Sequence, residues 1–195
     1  MPIKLNSTGG GSVTIDVPSM STANTLTLPA ITGNVITSSD SNTVTQTMIN
    51  RSSFYGGFGP AFSAYNTGGQ SVTGGVYTKL QINTEEFDTA NCFDSTTNYR
   101  FTPTVAGYYL FTFNAENGAS SARLTTYLYK NGSVFKNGVD SIGNGTNSNS
   151  SNGSVLVYAN GSSDYFELYV QGNNAQSIQP GAAVTYFQAF LVRPA

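Results

Sequence analysis

The chain has 195 residues, of which 9% are charged, and its 8 Lys and Arg against 10 Asp and Glu leave a formal net charge of −2. Ser, Thr, Asn and Gly make up nearly half of the sequence, whereas 12 Tyr and 12 Phe supply large apolar side chains for a core. The absence of a basic run predicts no nucleic-acid partner, and the absence of a long apolar stretch predicts no membrane insertion.

The first 37 residues contain short alternating segments. Residues 12–17 place three apolar side chains on one face of a predicted strand, and residues 25–28 and 34–37 predict two further strands. Such short strands bury too little apolar surface to form a core alone. We therefore predict an N-terminal β foot over residues 1–37, which attaches to a larger particle or intertwines with other copies. The residues expected to dock it are Val13, Ile15, Val17, Leu26 and Leu28.

Residues 38–57 are polar and predict a neck or linker, and the pattern changes at about residue 58. From there, runs of aromatic and β-branched residues alternate with turn residues, and six Asn-Gly dipeptides favour tight hairpin turns. No helical periodicity of useful length occurs. The predicted strands are 59–65, 76–82, 97–102, 107–115, 123–130, 133–136, 154–159, 164–171 and 184–193.

Two segments of this second region have particular consequences. Residues 143–153 are of low complexity and predict an exposed, mobile loop. Residues 184–193 are apolar on both faces, so we expect this last strand to be buried on both sides. About nine antiparallel strands predict an all-β sandwich or jelly roll over residues 58–195. A two-sided terminal strand indicates contact with another subunit, and a homotrimer is the leading hypothesis.

The sequence offers little catalytic chemistry. It contains no His, the commonest general base and metal ligand, and its one cysteine, Cys92, can form neither an intrachain disulfide nor a Cys-based zinc site. We expect Cys92 to be a small buried apolar group. We therefore predict no catalytic residue, no metal site and no cofactor, and that the protein is not an enzyme.

One acidic concentration leaves alternatives open. Glu85, Glu86, Asp88 and Asp94 are oxygen donors of the kind that calcium takes, but their spacing is not that of an EF-hand and favours a solvated loop. The same carboxylates could act as a glycosidase pair only if they faced each other across a sugar cleft.

Exposed tyrosines could stack on sugars, although most are expected to be core or interface residues. The tyrosines considered are Tyr55, Tyr65, Tyr77, Tyr99, Tyr127, Tyr158 and Tyr165. Receptor contact is expected instead in the loops at 66–75, 117–122 and 143–153.

Residues 99–111, Tyr-Arg-Phe-Thr-Pro-Thr-Val-Ala-Gly-Tyr-Tyr-Leu-Phe, resemble the signature of one superfamily. That superfamily is the jelly roll shared by the globular head of complement subcomponent q and tumour necrosis factor. Further matches follow in order at 60–65, 128–132, 154–164 and 185–192. The resemblance implies a ten-stranded knob in a threefold trimer that serves recognition rather than catalysis. The expected core or trimer-interface residues are Phe62, Phe101, Tyr109, Phe111, Tyr186, Phe187 and Phe190.

Residues 11–33 resemble a short element common in tailed-bacteriophage fibre and virion proteins. Together the two resemblances imply a trimeric capsid decoration or head-fibre protein at the virion surface, assembled in the host cytoplasm. The alternative is a tail-fibre tip that binds the receptor. The expected partners are the chain itself, capsid or tail proteins of the virion and, for the alternative, a host-surface glycan.

Overall fold

The structure, a computed structural model, describes residues 3–6, 9, 12–15, 59–118 and 122–195. The chain divides into two units, Met1–Val44 and Thr45–Ala195. The predicted strands at 25–28 and 34–37, the neck at 38–57 and the docking candidates Val17, Leu26 and Leu28 lie outside the described residues.

The described part of the N-terminal unit is an antiparallel pair of strands, β1 (Ile3–Asn6) and β2 (Ser12–Ile15). The start of β2 agrees with the predicted strand, whereas β1 was not predicted. The register pairs Ile3 with Ile15 and Leu5 with Val13.

The second unit is a two-sheet antiparallel sandwich, and its described residues form strands and connections without a helix. The strands in chain order are β3 (Ala61–Tyr65), β4 (Gln70–Val72), β5 (Thr78–Lys79), β6 (Thr84–Asp88), β7 (Phe93–Asp94), β8 (Arg100–Phe101), β9 (Gly107–Asn117), β10 (Arg123–Lys130), β11 (Ser133–Ile142), β12 (Asn149–Ala159), β13 (Phe166–Gly172), β14 (Gln176–Ile178) and β15 (Tyr186–Pro194).

The first sheet is organised around β9, which pairs with β12, with β15 and, at its end, with β14. The sheet continues from β15 to β3 and β6, and from β14 to β4. In the second sheet β13 lies between β10 and the short strands β8 and β5, while β11 pairs with β10 and β7 with β8. This arrangement is the jelly roll that the strand pattern predicts.

The core is aromatic because side-chain direction alternates along β9 and its inward positions carry aromatic residues. Tyr109, Phe111 and Phe113 all point between the sheets and are buried. Phe62 of β3 stacks on Phe93 and Phe101 from the opposite sheet, with ring centroids 4.5 and 4.6 Å apart. Such ring pairs add about 0.5–1.5 kcal/mol each beyond the area that they bury, so this contact ties the two sheets together.

The prediction of a mobile loop over residues 143–153 is wrong for its second half. β12 begins at Asn149, and the side chains of Asn149 and Ser151 are buried. The Ser151 hydroxyl oxygen accepts a hydrogen bond from the Thr126 amide at 2.8 Å, and Asn149 Nδ2 donates to the Ser141 carbonyl at 3.2 Å. Small polar side chains therefore close the edge between the two sheets, which a hydrophobic pattern does not reveal.

Two different roles are seen among the Asn-Gly dipeptides. Asn131 and Gly132 have φ of 54° and 77° and form the predicted hairpin turn between β10 and β11. Gly138 and Gly153 instead lie inside β11 and β12, where the two strands approach closely. A Cβ on Gly138 would lie 2.2 Å from Thr126 Oγ1 and 2.6 Å from the Asn152 carbonyl oxygen. For these two dipeptides the hairpin prediction is wrong, because glycine is needed there for space.

We expect Gly138→Ala to lower the free energy of unfolding by about 1–3 kcal/mol, because the added methyl group forces the sheet edge apart. Denaturant-induced unfolding measures the change. Gly68→Ala is the matched control, since a Cβ there meets no atom within 4 Å. Equal stability of the two variants would contradict the close approach of β11 and β12.

Candidate functional site

The outer face of the first sheet carries a row of apolar side chains across four strands. The register places Leu156 of β12 beside Leu110 of β9, which lies beside Phe190 of β15 and then Ala61 of β3. Leu156 is 59% exposed and Phe190 is 49% exposed. Tyr108 and Tyr158 extend the patch as an exposed edge-to-face pair with ring centroids 5.6 Å apart. We call this surface the apolar face.

A groove of about 310 Å³ runs through the apolar face, between Phe87 of β6 and Phe190. Its polar neighbours are already bonded to one another. The Ser63 hydroxyl donates to Glu86 Oε2 at 2.6 Å, and Gln188 Nε2 donates to Thr112 Oγ1 at 2.8 Å. The groove therefore presents apolar surface rather than unsatisfied donors, which suits burial against another apolar surface.

A second apolar patch lies on β11, the outermost strand of the second sheet. Ile142 is 73% exposed, the largest exposure among the exposed large apolar side chains of the described residues. The backbone of this strand approaches β12 of the first sheet at Gly138, whereas its large apolar side chains stay exposed. We call this patch the apolar edge; its exposed residues are Val134, Phe135, Val139 and Ile142.

The predicted core or interface residues separate into two groups. Tyr186 and Phe190 lie on the outer side of β15, partly and half exposed. In the single chain no other described element covers the outer face of β15, so the burial of that face against another subunit stays a prediction. The residues that are buried in the core are Phe62, Phe101, Tyr109, Phe111 and Phe187.

The acidic concentration forms caps and strand contacts rather than a solvated loop. Glu85, Glu86 and Asp88 belong to β6, and Asp94 belongs to β7. The Asp94 carboxylate accepts hydrogen bonds from the Thr97 amide at 2.9 Å and from its neighbours, which hold the pKa of Asp94 well below its usual range. Among the described residues no three His, Cys, Asp or Glu side chains lie close enough together to hold a metal ion.

Cys92 is buried, as predicted, and its Sγ lies 3.6 Å from Thr104 Oγ1. Of the loops expected to contact a receptor, 66–75 is wrong in part because it contains β4 at Gln70–Val72. Residues 66–69 and 143–148 connect strands at the surface, and residues 119–121 of the 117–122 loop lie outside the described residues. In the part of the chain that the structure covers, no helix is long and apolar enough to cross a membrane.

Sequence reasoning missed one carboxylate that the structure makes prominent. Asp164 is buried beside the β10–β11 turn, where it accepts hydrogen bonds from Asn131 Nδ2 at 2.8 Å and from the Asn160 amide at 2.9 Å. Lys130 Nζ lies 2.9 Å from the same carboxylate. Burial raises the pKa of Asp164, but the bonds from Asn131, Lys130 and Asn160 outweigh it and lower that pKa.

These features define a class, an antiparallel jelly-roll module with an unpartnered apolar face. The model of the C1q domain family matches residues 61–192, and the chain belongs to that family. Among curated proteins none matches the sequence.

Three solved structures share the fold at low identity. The globular domain of zebrafish complement 1qA is 18% identical and covers 70% of this chain and 99% of its own, with a TM-score of 0.53. Murine APRIL at pH 5.0 is 8% identical, covers 69% and 99%, and has a TM-score of 0.56. The Eiger TNF of S. frugiperda is 10% identical, covers 70% and 95%, and has a TM-score of 0.55.

We expect Asp164→Asn to lower the free energy of unfolding at pH 7 by about 2–4 kcal/mol, because the amide cannot accept all three bonds and leaves Lys130 without its partner. The folded-state pKa of Asp164 is depressed, so its contribution is present above the unfolded pKa of about 3.9 and is lost as the pH falls through the folded value. Urea unfolding at pH 7 and pH 3 measures this. A difference between wild type and variant that grows towards pH 3 would contradict the assignment.

Proposed function

We propose that the chain is a non-enzymatic virion surface protein of a bacteriophage, a homotrimeric capsid decoration or head-fibre protein. Its N-terminal segment would attach to the particle, and its jelly-roll knob would project outward. The observation that carries the proposal is the pair of exposed patches on the knob, the apolar face and the apolar edge. Their exposed large side chains range from 37% exposed, for Phe135, to 73%, for Ile142, and clustered exposed apolar side chains mark interaction sites.

The two patches favour a ring. A twofold dimer brings the same patch of both copies together, whereas contact between two different patches repeats head to tail and forms a ring where the rotation between copies closes. The apolar face centres on Leu110 and Phe190, and the apolar edge on Val139 and Ile142. Domains of the C1q and tumour necrosis factor type form homotrimers and are typically binding modules without enzymatic activity, which supports three copies and a non-catalytic role.

The N-terminal segment supports attachment to other proteins. Lys4, Asp16 and Asp40 are its only charged residues in the first 50. A surface with few charges can be buried against a partner with little cost of desolvation. The register pairs Ile3 with Ile15 and Leu5 with Val13, so apolar residues are paired with apolar residues across the two strands, as expected of a docking segment.

The alternative is a tail-fibre tip that adsorbs to host-surface glycans. It is supported by the exposed tyrosine Tyr77, which lies on the outer side of the second sheet, the opposite sheet from the apolar face. Copy number separates the two locations, since capsid decoration requires hundreds of copies per particle and a tail tip only a few trimers.

We expect wild type to sediment as a trimer at micromolar concentration. Phe190→Asp and Leu156→Asp are expected to sediment as folded monomers, because the new carboxylate would be buried in the interface without a partner. Analytical ultracentrifugation measures the mass and circular dichroism checks the fold. Asn174→Asp, an exposed position outside both patches, is the control and stays trimeric. A monomeric wild type would refute the ring.

We expect Val13→Asp and Ile15→Asp to leave the trimer intact but to prevent its incorporation into particles, because a charge then sits on the docking face. Quantitative mass spectrometry of purified virions measures copies per particle for wild type and both variants. Unchanged incorporation of both variants would rule out docking through this strand pair.

A further inference from the structure

Four tyrosines from three segments meet on the outer face of the second sheet. Tyr129 of β10 stacks on Tyr169 of β13, with ring centroids 3.8 Å apart. Tyr77, just before β5, meets Tyr127 edge to face at 4.9 Å and Tyr129 at 6.3 Å. Tyr77 is 46% exposed, whereas Tyr127 and Tyr129 are buried beneath and beside it. We call this group the tyrosine cluster.

The segment that carries Tyr77 is held in place from both sides. The Gly75 amide donates to the Gly172 carbonyl at 2.7 Å, and Gln171 Nε2 donates to the Gly75 carbonyl at 3.1 Å. Two residues later, β5 pairs Lys79 with Tyr169. The exposed ring of Tyr77 is therefore fixed before any ligand arrives, which reduces the entropy lost on binding.

Two of the cations around the tyrosine cluster are paired with carboxylates, and a third lies against an aromatic ring. Lys79 Nζ lies 2.6 Å from Glu167 Oε1, and Glu167 is only 4% exposed. Arg123 pairs with Asp140 at 2.6 Å, and the Arg100 guanidinium lies 4.7 Å from the centre of the Tyr165 ring. This face therefore presents ring surface, hydroxyl groups and amides without a free cluster of either sign, which complements a neutral polar ligand rather than a charged one.

The tyrosine hydroxyls stay protonated at neutral pH. Burial raises the pKa of Tyr127, Tyr129 and Tyr169 above the ordinary value. Each hydroxyl can therefore both donate and accept hydrogen bonds. An aromatic ring with an adjacent hydroxyl has an apolar body and a polar tip, which fits a sugar ring with one C–H face and hydroxyls at its rim.

We propose that the tyrosine cluster is a binding site for a neutral oligosaccharide, with the exposed face of Tyr77 stacking on a sugar ring. The hydroxyl of Tyr169, on the same outer face of the sheet, would bond the sugar hydroxyls. The site lies on the opposite sheet from the apolar face, whereas the apolar edge begins beside it, where Val134 pairs with Tyr129. That the trimer leaves the exposed ring of Tyr77 open to solvent is the one point that rests on the proposed function. The site differs from the receptor-contact loops that the sequence predicts.

The test uses the full chain on a glycan array that carries neutral hexose and N-acetylhexosamine oligosaccharides together with sialylated and sulfated ones. The best neutral binder is then titrated by tyrosine fluorescence, which is free of tryptophan signal because the chain contains no Trp. We expect Tyr77→Ala to weaken binding at least tenfold, and Tyr77→Phe, which keeps the ring, to stay within about threefold of wild type. Ser162→Ala, exposed on a distant turn, is the control and binds as wild type.

Three outcomes would overturn the site: no neutral oligosaccharide bound by wild type, binding restricted to acidic glycans, or wild-type affinity in Tyr77→Ala. Loss of binding in Asn147→Ala alone would place recognition in the 143–148 loop and also overturn it. Sedimentation of the same samples keeps this result separate from the proposed function, because trimers that fail to bind sugar refute only the site, and sugar-binding monomers refute only the ring.

Discussion

The pairing of β9 with a long strand on each side is the constraint on which the rest of the knob depends. Over Gly107–Asn117 it bonds to β12 on one side and to β15 on the other. The same alternation that sends Tyr109, Phe111 and Phe113 into the core sends Tyr108 and Leu110 to the outer face. A one-residue slip would exchange the two sets, so the register that builds the core also builds the surface proposed for assembly.

The two sheets present different outer faces because their outward residues differ in kind. The first sheet turns Leu110, Leu156 and Phe190 outward, and the burial of these side chains is favoured only by the removal of apolar surface from water. The second turns Tyr127, Tyr169 and Glu167 outward, and these combine ring surface with hydrogen-bonding groups. A molecule with one face suited to its own copies and one suited to a polar ligand can assemble and recognise at once without using the same residues for both.

Much of the fold was predictable because strand alternation and turn chemistry are local. The predicted strand at 123–130 agrees with β10 at both ends, and Asn131-Gly132 forms its predicted turn. The short strands β4, β7 and β14 have two or three residues each, too few for alternation to be visible in the sequence. The burial of Asn149 and Ser151 was missed because their bonds go to Thr126 and Ser141, partners that only the closed sandwich brings near.

The candidate surfaces were harder to predict than the core. Phe190 and Tyr77 were both predicted as candidates from the sequence. The sequence pattern alone does not show, however, whether an apolar or aromatic side chain points into the core or to the surface. The face that Phe190 occupies follows from its register opposite Leu110 and Ala61. The tyrosine cluster depends on Tyr77 reaching Tyr127, 50 positions further along the chain, and no local pattern contains that contact.

The edge formed by Gly138, Ser151 and Gly153 has a consequence for how this sequence can change over time. By composition alone, residues 143–153 are a uniform run of Ser, Asn and Gly that would be expected to tolerate substitutions and insertions. The structure divides the run. Residues 143–148 are a surface connection that tolerates insertions, whereas from residue 149 onward Asn149 and Ser151 are buried and a Cβ on Gly153 would overlap the Phe113 ring. Substitution and insertion rates should therefore fall sharply between Ser148 and Asn149, within a stretch whose composition hardly changes.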